Sequence, residues 1–412
     1  MPKAQTLEVA MKPKTQFNGR HWETGSIHNA LALQEIKAAH TGQPYSEALL
    51  LGISGGIAFG YFTFEYKGYL PHIALLTRNT FSPFSTILER LGIAQDIQQT
   101  NKADIAEKNL RKTLESGLYP ILWADQFSLP YNNLPINEPM WGMMPILAVE
   151  MYHETVTIAD RSSKPLHISM ADLTKARGRV KEEKYRLITL DAPQTAKLAG
   201  AVHKGICQAI SLFTEEPPRG ARHNFGFAAY ERLAEMLVNR RNKQGWERLF
   251  APGVRMYHAL AGSPVQPGAY HWVNTWVSVD GADRGLYADF LLEAAQILSK
   301  PTLKESAGKF RESRKLWLTF ADALLPDEVP MLAESKKLIQ KKHELFIEKG
   351  EDAFPEIKQI NARLNELLLQ SEKDFPLSNA QAADLRANWR DILLKISGVE
   401  RQAVELLQSA IV

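Results

Sequence analysis

The stretch Phe17 to Leu31 reads FNGRHWETGSIHNAL. A glycine turn leads into a histidine, an aromatic residue and a glutamate, after which apolar residues recur at helical spacing. The segment predicts a helix starting near Glu23, with His21 and Trp22 at its head. A helix N-terminus gathers unpaired backbone N–H groups and positive potential, which lower a thiol pKa and stabilise an oxyanion. No cysteine stands here: the chain's single cysteine is Cys207.

Outward from this stretch, two textures divide the chain at about residue 190. The first is mixed. Helices are expected near Glu23, Ser82, Asp104 and Ala171, and short β-rich runs lie at Phe59 to Tyr66, Ile73 to Thr77, Tyr119 to Trp123, Ile146 to Met151 and Thr155 to Ala159. The last two, separated by Tyr152, His153 and Glu154, read as an antiparallel hairpin. After Asp191 the period turns helical, over Ala196 to Phe213, Phe227 to Asn239, Tyr287 to Ser299, Lys304 to Leu325 and several segments from Met331 onward. Loops are expected at Pro217 to Gly220 and Ser263 to Gly268, and Trp272 to Val279 reads as one strand. The stripe Ile360, Leu364, Leu367 and Leu368 predicts packing within a helical bundle, with a partner-binding coiled coil as the lesser alternative. The fold expected is α+β over residues 17–190, followed by an all-helical domain over residues 191–412.

Composition narrows the function. With 412 residues, 45% hydrophobic and 23% charged, the chain is globular and long enough for two domains. Lys and Arg number 49 against 46 Asp and Glu, too even for a nucleic-acid footprint or attraction to an anionic membrane. One cysteine excludes a disulfide framework and a cysteine-rich zinc site, and fits a reducing, cytoplasmic setting. Met1 to Thr15 lacks the apolar run of a secretory signal. The uncharged run Ala48 to Phe64 approaches the length of a membrane span, but four glycines interrupt it and Glu47 and Glu65 flank it, so no span is expected.

Several motifs, in order, carry a resemblance. They are Gly19-Arg20-His21-Trp22-Glu23-Thr24-Gly25 with Asn29 and Leu31, then Gly42, Tyr45-Ser46-Glu47, Leu51-Gly52-Ile53-Ser54-Gly55-Gly56 and Phe59. Thr77-Arg78-Asn79-Thr80-Phe81, Leu91-Gly92-Ile93, Gly117, Pro120, Asp125 and Leu129-Pro130-Tyr131 follow. Together they resemble the butirosin biosynthesis protein H N-terminal-domain family. Asn224-Phe225-Gly226 and Arg284-Gly285-Leu286-Tyr287-Ala288-Asp289-Phe290-Leu291 look like the helical domain usually joined to it, so the likeness extends to about Leu345.

The resemblance implies a papain-like cysteine-enzyme fold, allied to bacteriocin-processing peptidases and used for acyl transfer in secondary metabolite biosynthesis. An aminoacyl group would pass from a carrier-protein thioester to an amine, forming an amide. The implied partners are an acyl-carrier protein and a small amine acceptor. The family's nucleophile is the cysteine directly after the histidine of its HCE segment, where this sequence has Trp22. Its histidine is expected just before the strand Ile146 to Met151, where Trp141-Gly142-Met143-Met144-Pro145 stands. Asp160 fits the third position. Indole and thioether supply neither thiolate nor base. The implied site is therefore His21, Trp22 in the nucleophile position and Asp160, with Glu23, Asp125, Tyr131, Met143 and Met144 towards substrate. A catalytically inactive binding or scaffold protein of the same fold is the contrasting reading.

Cys207 sits in a helical run and reads as a small buried core residue. His21 reads as a lone base or as a capping histidine, Asp160 as a site residue or a solvated loop residue, and Asp125 as a turn cap or a cleft residue. Gly52-Ile53-Ser54-Gly55-Gly56 satisfies G-x-S-x-G, which gives a serine hydrolase using Ser54 as a further alternative; the competing reading is a glycine turn packed on the first helix. His21 and His28 lack a third ligand at metal spacing, Asp280 to Asp283 is no calcium loop, and no phosphate loop occurs. No metal or cofactor is expected. Trp246, Tyr257, Trp272 and Trp276 read as core, with an apolar groove as the alternative.

Overall fold

The computed structural model describes residues 17–134, 141–275 and 279–411. Met1 to Thr15 and Trp276 lie outside the described residues. The first region contains helices α1 (Trp22–Leu33), α2 (Glu47–Ile53), α3 (Pro83–Leu91), α4 (Ala103–Glu115) and α5 (Met170–Arg177). Its strands are β1 (Ile57–Phe64), β2 (His72–Arg78), β3 (Gln95–Gln98), β4 (Ile121–Asp125), β5 (Met143–Tyr152), β6 (Thr155–Ala159), β7 (Leu166–Ser169) and β8 (Leu187–Leu190). Six of them form an antiparallel sheet in the order β3-β8-β4-β5-β6-β7, while β1 and β2 pair as a separate antiparallel ribbon.

Side-chain alternation along β4 assigns the two faces of the larger sheet. Leu122 and Ala124 join Leu110 of α4 and Leu173 of α5 in one apolar cluster. Ile121 and Trp123 face the main core, where Phe84 of α3 meets the Trp123 ring edge-on at 5.1 Å. Helix α1 lies on this second face, its Ser26 Oγ donating to Pro145 O of β5 at 3.0 Å.

A helical region follows. It comprises α6 (Leu198–Thr214), α7 (Gly226–Val238), α8 (Trp246–Leu249), α9 (Val254–Ala261), α10 (Ala269–Asn274), α11 (Arg284–Ile297), α12 (Leu303–Leu324), α13 (Pro330–Lys349), α14 (Phe354–Lys373) and α15 (Asn379–Ile411). The protein is thus α+β first and helical afterwards. Apolar packing crosses between the regions: Phe59 of β1 stacks on Tyr230 of α7 at 4.0 Å and tilts against Trp317 of α12. Charge crosses too. Arg78 at the end of β2 is paired with Asp283 at 2.7 Å, and Arg284 with Glu400 of α15 at 2.7 Å, both pairs buried.

The hairpin β5–β6 turns through His153 and Glu154, with Tyr152 opposite Thr155. Pro330 opens α13 as its fixed φ favours. Five readings need correction. Trp272 lies in helix α10, not in a strand, and residues 276–278 lie outside the described residues; a β-branched aromatic run is ambiguous when short, and Gly268 starts a helix. Met143 and Met144 lie within β5, which begins three residues before the expected Ile146. Asp160 is buried, not a solvated loop residue. Cys207 is half-buried, with its Sγ 3.7 Å from His203 Nδ1, because α6 buries Gly205 and Ile206 instead. The turn Ser54-Gly55-Gly56 packs on Gln208, Ala209 and Tyr287, not on α1.

Candidate functional site

The site grows from the head of α1. His21 is the N-cap, in extended conformation, and its Nδ1 accepts from Glu23 N at 3.4 Å. A second acceptor comes from α2: Glu47 Oε2 accepts from Arg20 N at 2.7 Å, and Oε1 from His21 N at 2.9 Å and Thr24 Oγ1 at 2.7 Å. A carboxylate there satisfies donors that the helix leaves open and complements its dipole. The approach is so tight that a Cβ on Gly19 would meet Gly25 O at 2.4 Å, and Gly19 N is fixed by Asn29 Oδ1 at 3.0 Å. Gly19, Gly25, Asn29 and Glu47, all within the quoted motifs, therefore build one helix start.

Trp22 occupies the first position of α1 and is 2% exposed. The Arg161 guanidinium lies 4.5 Å above its ring centroid, and 5.0 Å from that of Phe346. Arg161 Nε donates to Asp160 Oδ1 at 2.8 Å, and Nη2 to Asp160 Oδ2 at 3.1 Å and Asn132 Oδ1 at 2.8 Å. Tyr131 Oη donates to Asp160 Oδ2 at 3.0 Å. Arg161 also carries φ of +57°, a region costly for a side chain with a Cβ, so its placement is enforced by these contacts. The structure thus brings Trp22, Asp160 and Tyr131 around one guanidinium, with His21 near it and Glu23 4.0 Å from His21 Nδ1.

The remaining candidates divide. Met143 and Met144 lie on β5 opposite Asp125 and Ala124. Asp125 is fully buried and occupied by the following turn, accepting from Ser128 Oγ at 2.6 Å, Phe127 N at 3.4 Å and Gly142 N at 2.9 Å. Ser54 donates to Leu51 O at 2.7 Å and follows helix α2 and precedes strand β1. A nucleophile elbow requires the reverse order.

Burial sets the protonation states. The His21 imidazole is pushed well below its ordinary value, by burial first and then by the charges of Arg78 and Arg161. The Glu23 carboxyl, 4.0 Å from His21 Nδ1, rises to about 7 through burial, opposed by Arg78. Tyr131 is raised well above its usual range by burial and by Asp160. Of these groups only Glu23 exchanges a proton near neutrality.

A cleft of about 90 Å³ opens beside Arg161 and Tyr131. Its far wall belongs to the helical region: the Ser263 to Pro267 loop, His271 and Thr275, and Lys342, His343 and Phe346 of α13. The sequence assigns none of these residues a functional role. Arg161 stood next to Asp160 without a signal of its own, while Glu47 and Arg78 lay inside quoted motifs.

Residues 21–161 match the family model described as Butirosin biosynthesis protein H, N-terminal. Over that stretch the chain resembles this family. At the family level, this match implies an acyltransferase-type function. No curated protein matches the chain. Among the described residues, no helix is long and apolar enough to cross a membrane, and no group of three or more His, Cys, Asp or Glu is arranged to hold a metal ion.

Proposed function

We propose that this protein binds a small acyl or amine ligand in the cleft beside Arg161 and forms no covalent acyl-enzyme. Trp22 carries this reading. An indole offers no nucleophile for a thioester carbonyl, and the guanidinium stacked 4.5 Å above closes its face. Neither Met143 nor Met144 supplies a base. In this reading His21, Trp22 and Asp160 are the remnant of a catalytic arrangement, and Glu23 and Tyr131 border the bound ligand. The units 17–190 and 191–412 are proposed on the same footing, with the boundary between β8 and α6.

The test is incubation with a small-molecule aminoacyl thioester and an amine, followed by intact-protein mass spectrometry. No adduct is expected on the wild type or on Trp22→Cys, because the new thiol would lack a base. A stable acyl adduct on Trp22→Cys overturns the reading.

The Glu23 carboxyl favours a second reading, direct aminoacyl transfer from a carrier-protein thioester to an amine. The amine nitrogen would bond to the thioester carbon, its proton would pass to Glu23, and the C–S bond would break to release the thiolate. Amide formation would then fall about 10² to 10⁴-fold in Glu23→Gln, the range for losing a general base. His21→Ala would be weaker in effect, since its imidazole is held as a poor base. Wild-type turnover untouched by either change removes this reading.

A further inference from the structure

The charge inside the cleft is one-sided. Its ionisable lining is Arg161, Lys342, His271, His343 and Tyr131, and among the described residues no Asp or Glu lines it. Asp160 and Asn132 occupy Nε and Nη2 of Arg161, and Nη1 faces no acceptor among the described residues. Lys342 makes no hydrogen bond or ion pair with a described residue, although it is only partly exposed. His271 Nδ1 and Thr275 Oγ1 are buried without partners among the described residues. Buried polar groups are normally satisfied, and buried cations paired, because desolvation alone costs several kcal/mol. The like charges also press on one another. Lys342 is lowered to about 8 by burial and then by Arg161, and His271 to about 3 by burial, Lys342 and His343. His343 falls to about 4, through burial first and then Arg161 and Arg20.

We propose that the ligand of this cleft carries a carboxylate or phosphate, held between Arg161 and Lys342 with donors from His271 and Thr275, and that its apolar body lies on Phe346. The inference rests on the reading that the cleft binds a small molecule. Phe346, Ile339, Ile357 and Pro264 supply its apolar wall. Arg161 is already oriented by its stack between Trp22 and Phe346, so an anion meets a preorganised donor.

The experiment is calorimetric titration of the full chain with benzoate, phenyl phosphate, benzamide and benzylamine, on wild type and Lys342→Gln. Thermal melts confirm that the variant folds. Both anions should bind at least about tenfold more tightly than the amide and the amine, and Lys342→Gln should weaken the anions about tenfold without changing benzamide. The stronger of the two anions identifies carboxylate or phosphate as the natural group. Benzamide or benzylamine binding as tightly as the anions overturns the anion inference and leaves the cleft-binding reading in place. Anion binding unchanged in Lys342→Gln also overturns it. Failure of all four probes at millimolar concentration overturns both.

Discussion

Two sets of basic side chains occupy this protein's interior on opposite terms. The Arg284 guanidinium is fully buried and saturated: it donates to both oxygens of Glu400 and to the carbonyls of Thr77, Ala282 and Ala58. Glu400 in turn accepts from Ser313, Trp317 and Tyr230. Arg78 is matched as fully by Asp283, with Thr77 Oγ1 and Val279 N completing that carboxylate. In the cleft, Lys342, His271 and His343 have no such counter-charge among the described residues. Saturated cations hold elements together; unsaturated ones await a ligand. The contrast separates architecture from recognition better than residue type does, since both sets draw on the same basic side chains.

The comparison breaks most readily at its saturated end. Glu400→Ala should destabilise the protein by about 3–5 kcal/mol, the cost of leaving one member of a buried pair, read from denaturant unfolding; a loss below about 1 kcal/mol would remove the distinction. Glu23→Gln probes the border. The folded-state pKa of Glu23 lies above its ordinary value, so the neutral form favours folding, and that stability is present below about pH 4.5 and lost as pH rises through about 7. The substitution should therefore stabilise by about 2–3 kcal/mol at pH 8 and leave pH 4 unchanged, by thermal unfolding at both values. Glu47→Gln weakens the cap on α1 while keeping its shape, and should cost about 1–2 kcal/mol; amide exchange at Arg20 and His21 should quicken.

The smallest effect sharpens the cleft. His271 and His343 are neutral above pH 5, and Tyr131 titrates far above neutrality. Of the groups lining the cleft, Lys342 changes charge near pH 8, and Glu23 at its border changes near pH 7. Benzoate affinity should therefore fall about tenfold between pH 7 and pH 9 in the wild type and fall much less in Lys342→Gln, where Glu23 remains to titrate.

Much of the frame was legible in the sequence, because local patterns wrote it. Helical spacing marked α1, α12 and α13, and Tyr152, His153 and Glu154 marked the β5–β6 hairpin. Helix α2 was missed because Leu49, Leu50 and Leu51 are buried on every side and show no period. β3 was missed because its residues Gln95, Asp96 and Gln98 are polar on an edge strand. Within the site, Trp22, Asp160 and Tyr131 were named from motif order, and the structure gathers them around Arg161. The cleft itself was illegible. Lys342, His271 and Arg161 lie far apart in the chain, and nothing local to any of them foretells which side chains will go unpaired. Cys207 failed for the converse reason: its helix was read correctly, but which face of the helix would be covered depends on elements elsewhere.

The Arg284–Glu400 pair also imposes an order on synthesis. The two residues are 116 apart in the chain, so at about 5–20 residues per second the guanidinium precedes its carboxylate by roughly 6–23 s. During that interval β1, β2 and α11 cannot close around Arg284 without burying an unmatched charge. Closure of β1 and β2 onto α11 therefore waits on translation of α15, and nascent chains stalled before residue 400 are expected to be cleaved there by protease under conditions that spare the full-length protein.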